Sequence, residues 1–111
     1  MIIEKTIRDY LDSRLPVPVY CERPEKKPEK FVLVAKTGSS RTDRLNRAHI
    51  VILSNASTLY DAMSLNEQIK ELLDVNDIPD VSCKMEGDYN YTDTASKTYR
   101  YQVAYNIYYY D

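Results

Sequence analysis

The chain has 111 residues, 43% of them apolar and 29% charged, with a formal net charge of −2 and a pI near 5.4. This length accommodates one domain. Two glycines leave no room for a glycine-rich phosphate-binding loop, and an acidic balance is not typical of duplex-DNA binders, whose domains are usually basic. One histidine and two separated cysteines are too few ligands for a structural zinc site, so we expect no metal and no cofactor.

The sequence also carries no targeting signal that we recognise. Its first residues lack the basic flank and apolar run of a secretion signal, and no stretch approaches the ~20 consecutive apolar residues of a membrane span. We therefore expect a protein that is made and folded in a cytoplasm and does not contact a membrane. Cys21 and Cys83 are expected to be free thiols, although a single disulfide between them stays open.

The first half of the chain predicts a helix, a short strand and two longer strands. An amphipathic helix is predicted over about 3–14 by apolar residues at helical spacing, namely Ile3, Ile7, Tyr10, Leu11 and Leu15. Pro16 and Pro18 end it, and 17–22 follows as a candidate edge strand. After a charged loop over 23–30, two β-branched runs, 31–35 and 48–53, predict strands in the middle of a sheet. The segment between them, 36–47, is interpreted as a loop longer than a tight hairpin needs.

The second half predicts another helix and a terminal hairpin. Ser57 or Thr58 can cap a helix that runs to about Leu73. Its predicted apolar stripe is Leu59, Ala62, Met63, Ile69, Leu72 and Leu73, with Asn66 facing water. In the hairpin, alternation places odd-numbered residues on one face: Val81, Cys83, Met85, Tyr89 and Tyr91 on the first arm, and Tyr99, Tyr101, Val103, Tyr105, Ile107 and Tyr109 on the second. A polar connection over 92–98 joins the arms.

These elements predict an α+β fold over residues 1–111. We expect a single mixed, mostly antiparallel sheet of about five strands with two hairpins, and two helices packed on one face, in the order α-β-β-β-α-β-β. The other face of the sheet is left to water or to another subunit.

No catalytic constellation emerges from the titratable residues. His49 lies between apolar strand residues, which favours a packed or solvent-facing histidine over a catalytic base. Cys83 shares the odd-numbered face with Val81 and Met85, so it is expected in the core. Glu86 and Asp88 are expected on the outward face of the same strand as ordinary exposed carboxylates. We therefore expect that the protein is not an enzyme.

Basic residues gather in the 36–47 segment. Lys36, Arg41, Arg44 and Arg47 lie there against only one acid, Asp43. Arg41, Arg44 and Arg47 are candidate contacts to phosphates or to an acidic protein surface. A solvated, mobile connection is the alternative.

The tyrosines are the most unusual feature of the composition. Eight of the eleven lie between residues 89 and 110. Tyrosine combines a large apolar area with a hydroxyl that tolerates partial wetting, which suits an interface. The candidate interface residues are Tyr99, Tyr101, Tyr105, Tyr108 and Tyr110. The first three could instead fill the core from the odd-numbered face. Two alternatives to an interface stay open: the tyrosines belong to an ordinary sheet, or they form a surface on which single-stranded nucleic acid stacks.

Two segments resemble a known family. The run Arg41-Thr-Asp-Arg-Leu-Asn-Arg-Ala-His-Ile-Val-Ile-Leu-Ser-Asn-Ala-Ser57, leading into the helix at 59–73, resembles the central part of small tail-completion proteins. These proteins occur in long-tailed bacteriophages and prophages of Gram-positive bacteria. Residues 97–109, Lys97-Thr-Tyr-Arg-Tyr-Gln-Val-Ala-Tyr-Asn-Ile-Tyr-Tyr109, resemble their closing strand. The element order is similar to that of the lambda-type tail terminator, over nearly the whole chain.

The resemblance implies a structural assembly protein that caps the head-proximal end of the tail tube. It implies a ring-shaped homo-oligomer, a hexamer, that stops tube polymerisation and joins the tail to the head connector or stopper protein. DNA would pass through the ring as cargo, and the protein would occupy the host bacterial cytoplasm during assembly and then the virion. A neck or head-completion protein of similar size is the alternative within this class. We expect residues 97–110 to form much of the subunit contact.

Overall fold

Two helices and a five-stranded mixed sheet make up the fold, in the predicted order α-β-β-β-α-β-β. The computed structural model describes residues 1–93, 95 and 98–110. The elements are α1 (Ile3–Asp12), β1 (Val19–Tyr20), β2 (Phe31–Thr42), β3 (Leu45–Ala56), α2 (Leu59–Asp74), β4 (Val81–Asn90) and β5 (Tyr99–Tyr110). The α+β prediction is confirmed, and the predicted edge strand over 17–22 is the two-residue β1.

The last strand of the chain lies inside the sheet. The strand order is β1-β2-β3-β5-β4, so β5 pairs with β3 on one side and with β4 on the other. β1 runs parallel to β2, and all other neighbours are antiparallel. The exposed edge of the terminal hairpin is therefore β4, and β5 can offer a partner only its side chains.

Both helices pack on the same face of the sheet. Ile3, Ile7 and Leu11 of α1 and Ile69 and Leu73 of α2 are buried in one apolar core with the strands. The strand residues of that core alternate along the chain, as a half-covered sheet requires: Val32, Val34, Ala48, Ile50, Ile52, Val81, Cys83, Val103, Tyr105, Ile107 and Tyr109. The opposite face, which we call the open face, carries the intervening residues.

The boundaries of α2 are confirmed, but part of its predicted apolar stripe is wrong. Thr58 caps the helix, since its Oγ1 accepts the Asp61 backbone N–H at 3.1 Å. Asn66, expected in water, is buried, while Leu59 and Met63 are exposed. The reason is a polar partner inside the protein: Asn66 Nδ2 donates to Asp88 Oδ2 at 2.8 Å.

The 36–47 segment is not a loop. β2 and β3 continue through it and are joined by a two-residue turn, Asp43–Arg44, in which both residues have positive φ (51° and 69°). This conformation matches the twist of a hairpin but usually occurs at Asn or Gly, so Asp-Arg was not recognised as a turn in the sequence. A bulge between Lys36 and Gly38 shifts the register within β2.

A second bulge lies between Met85 and Gly87 of β4. It reverses the faces of the residues that follow, so the predicted faces of these residues were wrong. Beyond it Tyr89 lies opposite Gln102 on the open face, not with Val81 and Cys83. Glu86 and Asp88 do not share a face either, since Glu86 reaches His49 on the open face and Asp88 bonds Asn66 on the helix side. One extra residue in a strand reverses the alternation that follows it.

The connection between β4 and β5 is closed by an antiparallel bridge between Asp93 and Thr98. Thr94, Ser96 and Lys97 of the predicted 92–98 connection lie outside the described residues. Neither helix of the described chain combines the length and the apolar character that a membrane crossing needs.

Candidate assembly surface

The five candidate tyrosines of β5 divide between the two faces of the sheet. Tyr99 and Tyr101 are half-buried on the helix side, where the odd-numbered residues lie. Tyr108 and Tyr110 lie on the open face, opposite Arg47 and Leu45 of β3. Tyr110 is the most exposed of the five, with 65% of its surface accessible.

Tyr105 belongs to the core and has no surface to offer. It is fully buried, and its hydroxyl donates to Asp74 Oδ1 at 2.8 Å. Burial, and after it the bond to the Asp74 carboxylate, raises the pKa of this hydroxyl. The exposed aromatic surface of β5 therefore comes from its last residues.

These last residues line an open groove of about 720 Å³ that we call the tyrosine groove. One wall is Leu45 and 108–110, and the other is 76–82, which connects α2 to β4 and begins that strand. The rim carries two exposed carboxylates, Asp77 and Asp80, neither of which forms an ion pair with the described residues. Aromatic rings beside carboxylates are a setting that suits a cationic side chain.

The α2–β4 connection is fixed in place by its own contacts. Asn76 has a positive φ of 53°, and its Oδ1 accepts the Cys83 backbone N–H at 2.6 Å. Ile78 is buried, and its carbonyl accepts the Val81 N–H at 3.2 Å. Asp80 also has a positive φ, 61°. The two rim carboxylates are therefore held on a defined backbone next to the tyrosines.

The three candidate arginines lie at the end of the β2–β3 hairpin. Arg41 is on the helix side, and its Nε donates to Asn46 Oδ1 at 2.7 Å. Asn46 in turn donates to the Tyr109 carbonyl at 3.3 Å, which ties the hairpin to β5. Arg44 is exposed in the turn, and Arg47 is exposed on the open face beside Tyr108. Arg44 and Arg47 form no ion pair with the described residues. Whether these arginines contact a partner stays a prediction.

His49 joins three strands across the open face. Its Nε2 lies 2.6 Å from Glu86 Oε2 and its Nδ1 lies 2.5 Å from Thr37 Oγ1. The three groups border a shallow cavity of about 310 Å³ with Tyr89 and Gln102. Thr37 is the extra residue of the β2 bulge and Glu86 lies at the β4 bulge, so the sequence pattern did not predict this arrangement. His49 is a half-buried strand residue on the open face, and the sequence had left both a packed and a solvent-facing position open.

The two cysteines are free thiols, as expected. Cys83 is buried, and burial raises the pKa of its thiol to about 11, with a smaller contribution from Asp74. Cys21 is exposed, and its partial desolvation also raises the pKa of its thiol. Neither thiol has the depressed pKa of a nucleophile. In the described part of the chain, no three His, Cys, Asp or Glu residues gather as a group that could hold a metal ion.

Sequence reasoning found Tyr108 and Tyr110 but missed the acidic wall beside them. The segment 77–80 carried only a chain-breaking signal, and its nearness to the end of β5 is a consequence of the sheet order. A scan against protein-family models finds no matching family, and a search of curated proteins finds no significant match.

Proposed function

We propose that this protein caps the head-proximal end of a bacteriophage tail tube as a ring of identical subunits. In this role it ends tube polymerisation and provides the joining surface for the head connector. The observation that carries the proposal is the end of β5, where the half-buried Tyr108 and the exposed Tyr110 line the tyrosine groove next to the outer edge of β4. Tyrosine is enriched in the buried centres of protein interfaces, so an accessible tyrosine surface with no helix packed over it supports a subunit contact there.

The sheet edges support closure into a ring. β2 and β4 lie on opposite sides of the sheet and run in opposite directions, because β2 is antiparallel to β3, β3 to β5 and β5 to β4. β1 forms the edge beside β2 only at Val32 and Leu33 and runs parallel to it. Copies placed side by side therefore bring β4 of one next to β1 and the uncovered second half of β2 of the following copy, in antiparallel orientation. Such a contact uses two different surfaces, and it closes when the rotation between copies permits.

The charge of the chain supports passage of DNA through such a ring. A formal net charge of −2 gives little attraction for phosphates over the whole molecule. DNA as cargo has to slide without being retained, and a weakly acidic subunit fits that need. The same charge is compatible with a neck or stopper protein, which also surrounds DNA.

A second class of function is favoured by one local observation. Arg47 and Tyr108 face each other across β3 and β5 on the open face, as in surfaces that stack single-stranded bases. Glu86, whose side chain is 54% exposed, lies on the same face and opposes phosphate binding. A single-strand binder would show oligonucleotide affinity that falls steeply with salt.

The deciding experiment measures the solution mass of the full chain by light scattering, alone and with the cognate tail-tube protein. Tube length is measured in parallel by electron microscopy. A tail terminator gives a closed ring, or shortened tubes capped at one end. A monomer that leaves tube length unchanged contradicts the proposal. An oligonucleotide titration and a binding assay with head-connector protein then separate the nucleic-acid and neck alternatives.

A further inference from the structure

Two oppositely charged corners lie at the same end of the sheet, on its two opposite sides. The ladder places Thr42 opposite Leu45 and Leu45 opposite Tyr110, so the Asp43–Arg44 turn lies level with the end of β5. Val81 pairs with Tyr109, which places the α2–β4 connection at that level too. The turn lies on the β2 side of the sheet and the connection lies on the β4 side.

The corner on the β4 side is acidic. Asp77 and Asp80 are exposed on the rim of the tyrosine groove. The C-terminal end of α2 lies directly before them, with Asp74 as its last residue and no basic residue in its last turn. The negative end of the helix dipole therefore adds to these carboxylates.

The corner on the β2 side is basic. Arg44 lies in the turn and Arg41 and Arg47 lie on the strands beside it, and Asp43 is the one acidic residue of the segment 36–47. Arg44 is the exposed residue at the tip, and its guanidinium has no carboxylate partner among the described residues. Arg44 on one side and Asp77 and Asp80 on the other thus carry complementary charges, and none of the three forms an ion pair with the described residues of its own copy.

Both edges of the sheet have unpaired strand segments at this end. β1 covers the edge of β2 only at Val32 and Leu33, which leaves its second half open toward the basic corner. β4 begins at the acidic corner and has no neighbour on its outer side among the described strands. Bulges at Lys36/Gly38 and Met85/Gly87 interrupt both edge strands, so a continuous backbone ladder between copies is unfavourable and side chains at the corners make the contact.

We propose that the tyrosine groove binds the basic β2–β3 corner of a second copy, with the Arg44 guanidinium of one copy held by Asp77 and Asp80 of the next. The Tyr110 ring, 65% exposed at the groove, provides an aromatic surface for that cation. This inference rests on the proposed function and identifies the surfaces through which its ring closes. Arg44 lies on the β2 side of the sheet and Asp77 and Asp80 lie on the β4 side, so the contact joins two different surfaces and is of the heterologous kind that a ring requires.

A charge exchange tests the contact. The variants are Arg44→Asp, Asp77→Arg and the two combined, because Asp tolerates the positive φ of position 44 and no backbone constraint opposes Arg at 77. Asp80→Asn removes the second carboxylate with a residue that also accepts positive φ. Each single variant is expected to raise the apparent dissociation constant of self-association at least about tenfold. The combined variant, in which the two charges are exchanged, is expected to recover most of the lost affinity.

Two matched controls change the same charges elsewhere. Arg23→Asp and Glu25→Arg alter exposed residues of the loop between β1 and β2, outside both corners. They are expected to leave association unchanged. Far-ultraviolet circular dichroism and the urea midpoint of each variant show that the monomer is folded.

The outcomes separate this inference from the proposed function. If the wild type forms rings or caps tubes and Arg44→Asp associates equally well, the corner contact is overturned and the function stands. If both single variants weaken association and the exchange restores nothing, the direct pairing of Arg44 with Asp77 is overturned. A wild type that neither self-associates at any concentration nor caps tubes overturns both.

Discussion

The Tyr105 hydroxyl donates a 2.8 Å hydrogen bond to Asp74 Oδ1, which joins the middle of β5 to the C-terminal end of α2. Tyr105 is fully buried while Asp74 is exposed, so a hydroxyl in the core is satisfied by a carboxylate at the surface. The bond also places the α2 end, and the connection that follows it, next to β5. Among the tyrosines of β5, Tyr105 therefore has a structural role in the core, while Tyr110 at the end of the strand is exposed.

Tyr105→Phe is expected to lower the free energy of unfolding by about 1 kcal/mol, the usual net value of one hydrogen bond. The loss stays modest because Asp74 is exposed and water replaces the missing donor. Urea denaturation measures the change. Tyr60→Phe is the control, since Tyr60 is 77% exposed and should show no loss. Equal stabilities of wild type and Tyr105→Phe would contradict the structural role of this bond.

Alkaline pH is expected to destabilise the protein through Cys83. Burial raises the pKa of its thiol from 9.0 to about 11, so the native state holds the proton more tightly than the unfolded state between these values. The free energy of unfolding therefore falls as the pH rises from about 9 to about 11, and is unaffected by this group below that range. The loss is roughly 2 kcal/mol over that range.

The contribution of Cys83 is isolated by comparing pH slopes. Cys83→Ala is expected to show a shallower alkaline decline than the wild type, although its stability at neutral pH is lower because of the lost packing. Cys21→Ala is expected to keep most of the decline, since Cys21 is exposed and only partly desolvated. Identical slopes in the wild type and Cys83→Ala would show that the thiol ionises equally in both states.

The fold was predictable from the sequence where hydrophobic periodicity was uninterrupted. Ile3, Ile7 and Leu11 repeat at helical spacing, and β5 alternates without a break from Tyr99 to Tyr110, so both elements were predicted with the correct buried face. The predicted face assignments were wrong beyond the bulge in β4. In β2 the bulge follows directly after the predicted strand 31–35, and the rest of that strand was predicted as a loop. Each bulge is followed by one of the only two glycines, Gly38 and Gly87. An isolated glycine inside a strand pattern is the signal that would have indicated them.

The candidate surface was predictable only in part, because it is assembled from distant segments. Tyr108 and Tyr110 were assigned to the open face by alternation alone. Their acidic neighbours, Asp77 and Asp80, lie some thirty residues earlier in the chain and reach them because β4 pairs with β5. The hairpin turn at Arg44 was missed since Asp-Arg lacks the glycine that usually marks positive φ. Pairing across strands is decided by the whole sheet and not by local sequence.

Asn66→Asp is expected to destabilise the protein by about 2 kcal/mol at neutral pH, less than an uncompensated buried charge would, because Lys70 lies 3.0 Å from the same Asp88 oxygen and offsets part of the added charge. Asn66 is buried and donates to Asp88, so the substitution replaces a donor with a second carboxylate. The deficit shrinks toward pH 4, where a protonated carboxyl again supplies a donor. Urea denaturation across this pH range is the measurement. Asn90→Asp, at an exposed position, should be nearly neutral, and a similar loss there would point to general charge repulsion.

Arg44→Gly is expected to stabilise the monomer by about 1 kcal/mol, the usual cost of a left-handed conformation in a residue with a side chain. Arg44 has a φ of 69° in the turn. Arg47→Gly is the matched control, because its position is extended strand, and glycine there should lower stability. Thermal unfolding of both variants measures the difference. If Arg44 contacts a second copy, the more stable Arg44→Gly monomer associates less well. A loss of stability in Arg44→Gly would show that the side chain supports the turn.

Replacement of Tyr108 and Tyr110 by Ser is expected to weaken assembly while the monomer stays folded. Both residues lie on the open face at the tyrosine groove, outside the core formed by Tyr105 and Tyr109. Aromatic residues at the centre of an interface commonly contribute 2 kcal/mol or more to binding, so the double variant should lose at least about thirtyfold in association. Light scattering over a concentration series, with and without tube protein, measures that loss.

Tyr60→Ser provides the control for the loss of an exposed tyrosine, since Tyr60 lies on α2 and not at the groove. It should retain the wild-type oligomer mass and the wild-type effect on tube length. An unchanged mass in the Tyr108 and Tyr110 variants would remove the end of β5 from the subunit contact. In that case the basic corner would have to bind elsewhere, because the tyrosine groove cannot be buried between copies while its most exposed tyrosine makes no contribution to association.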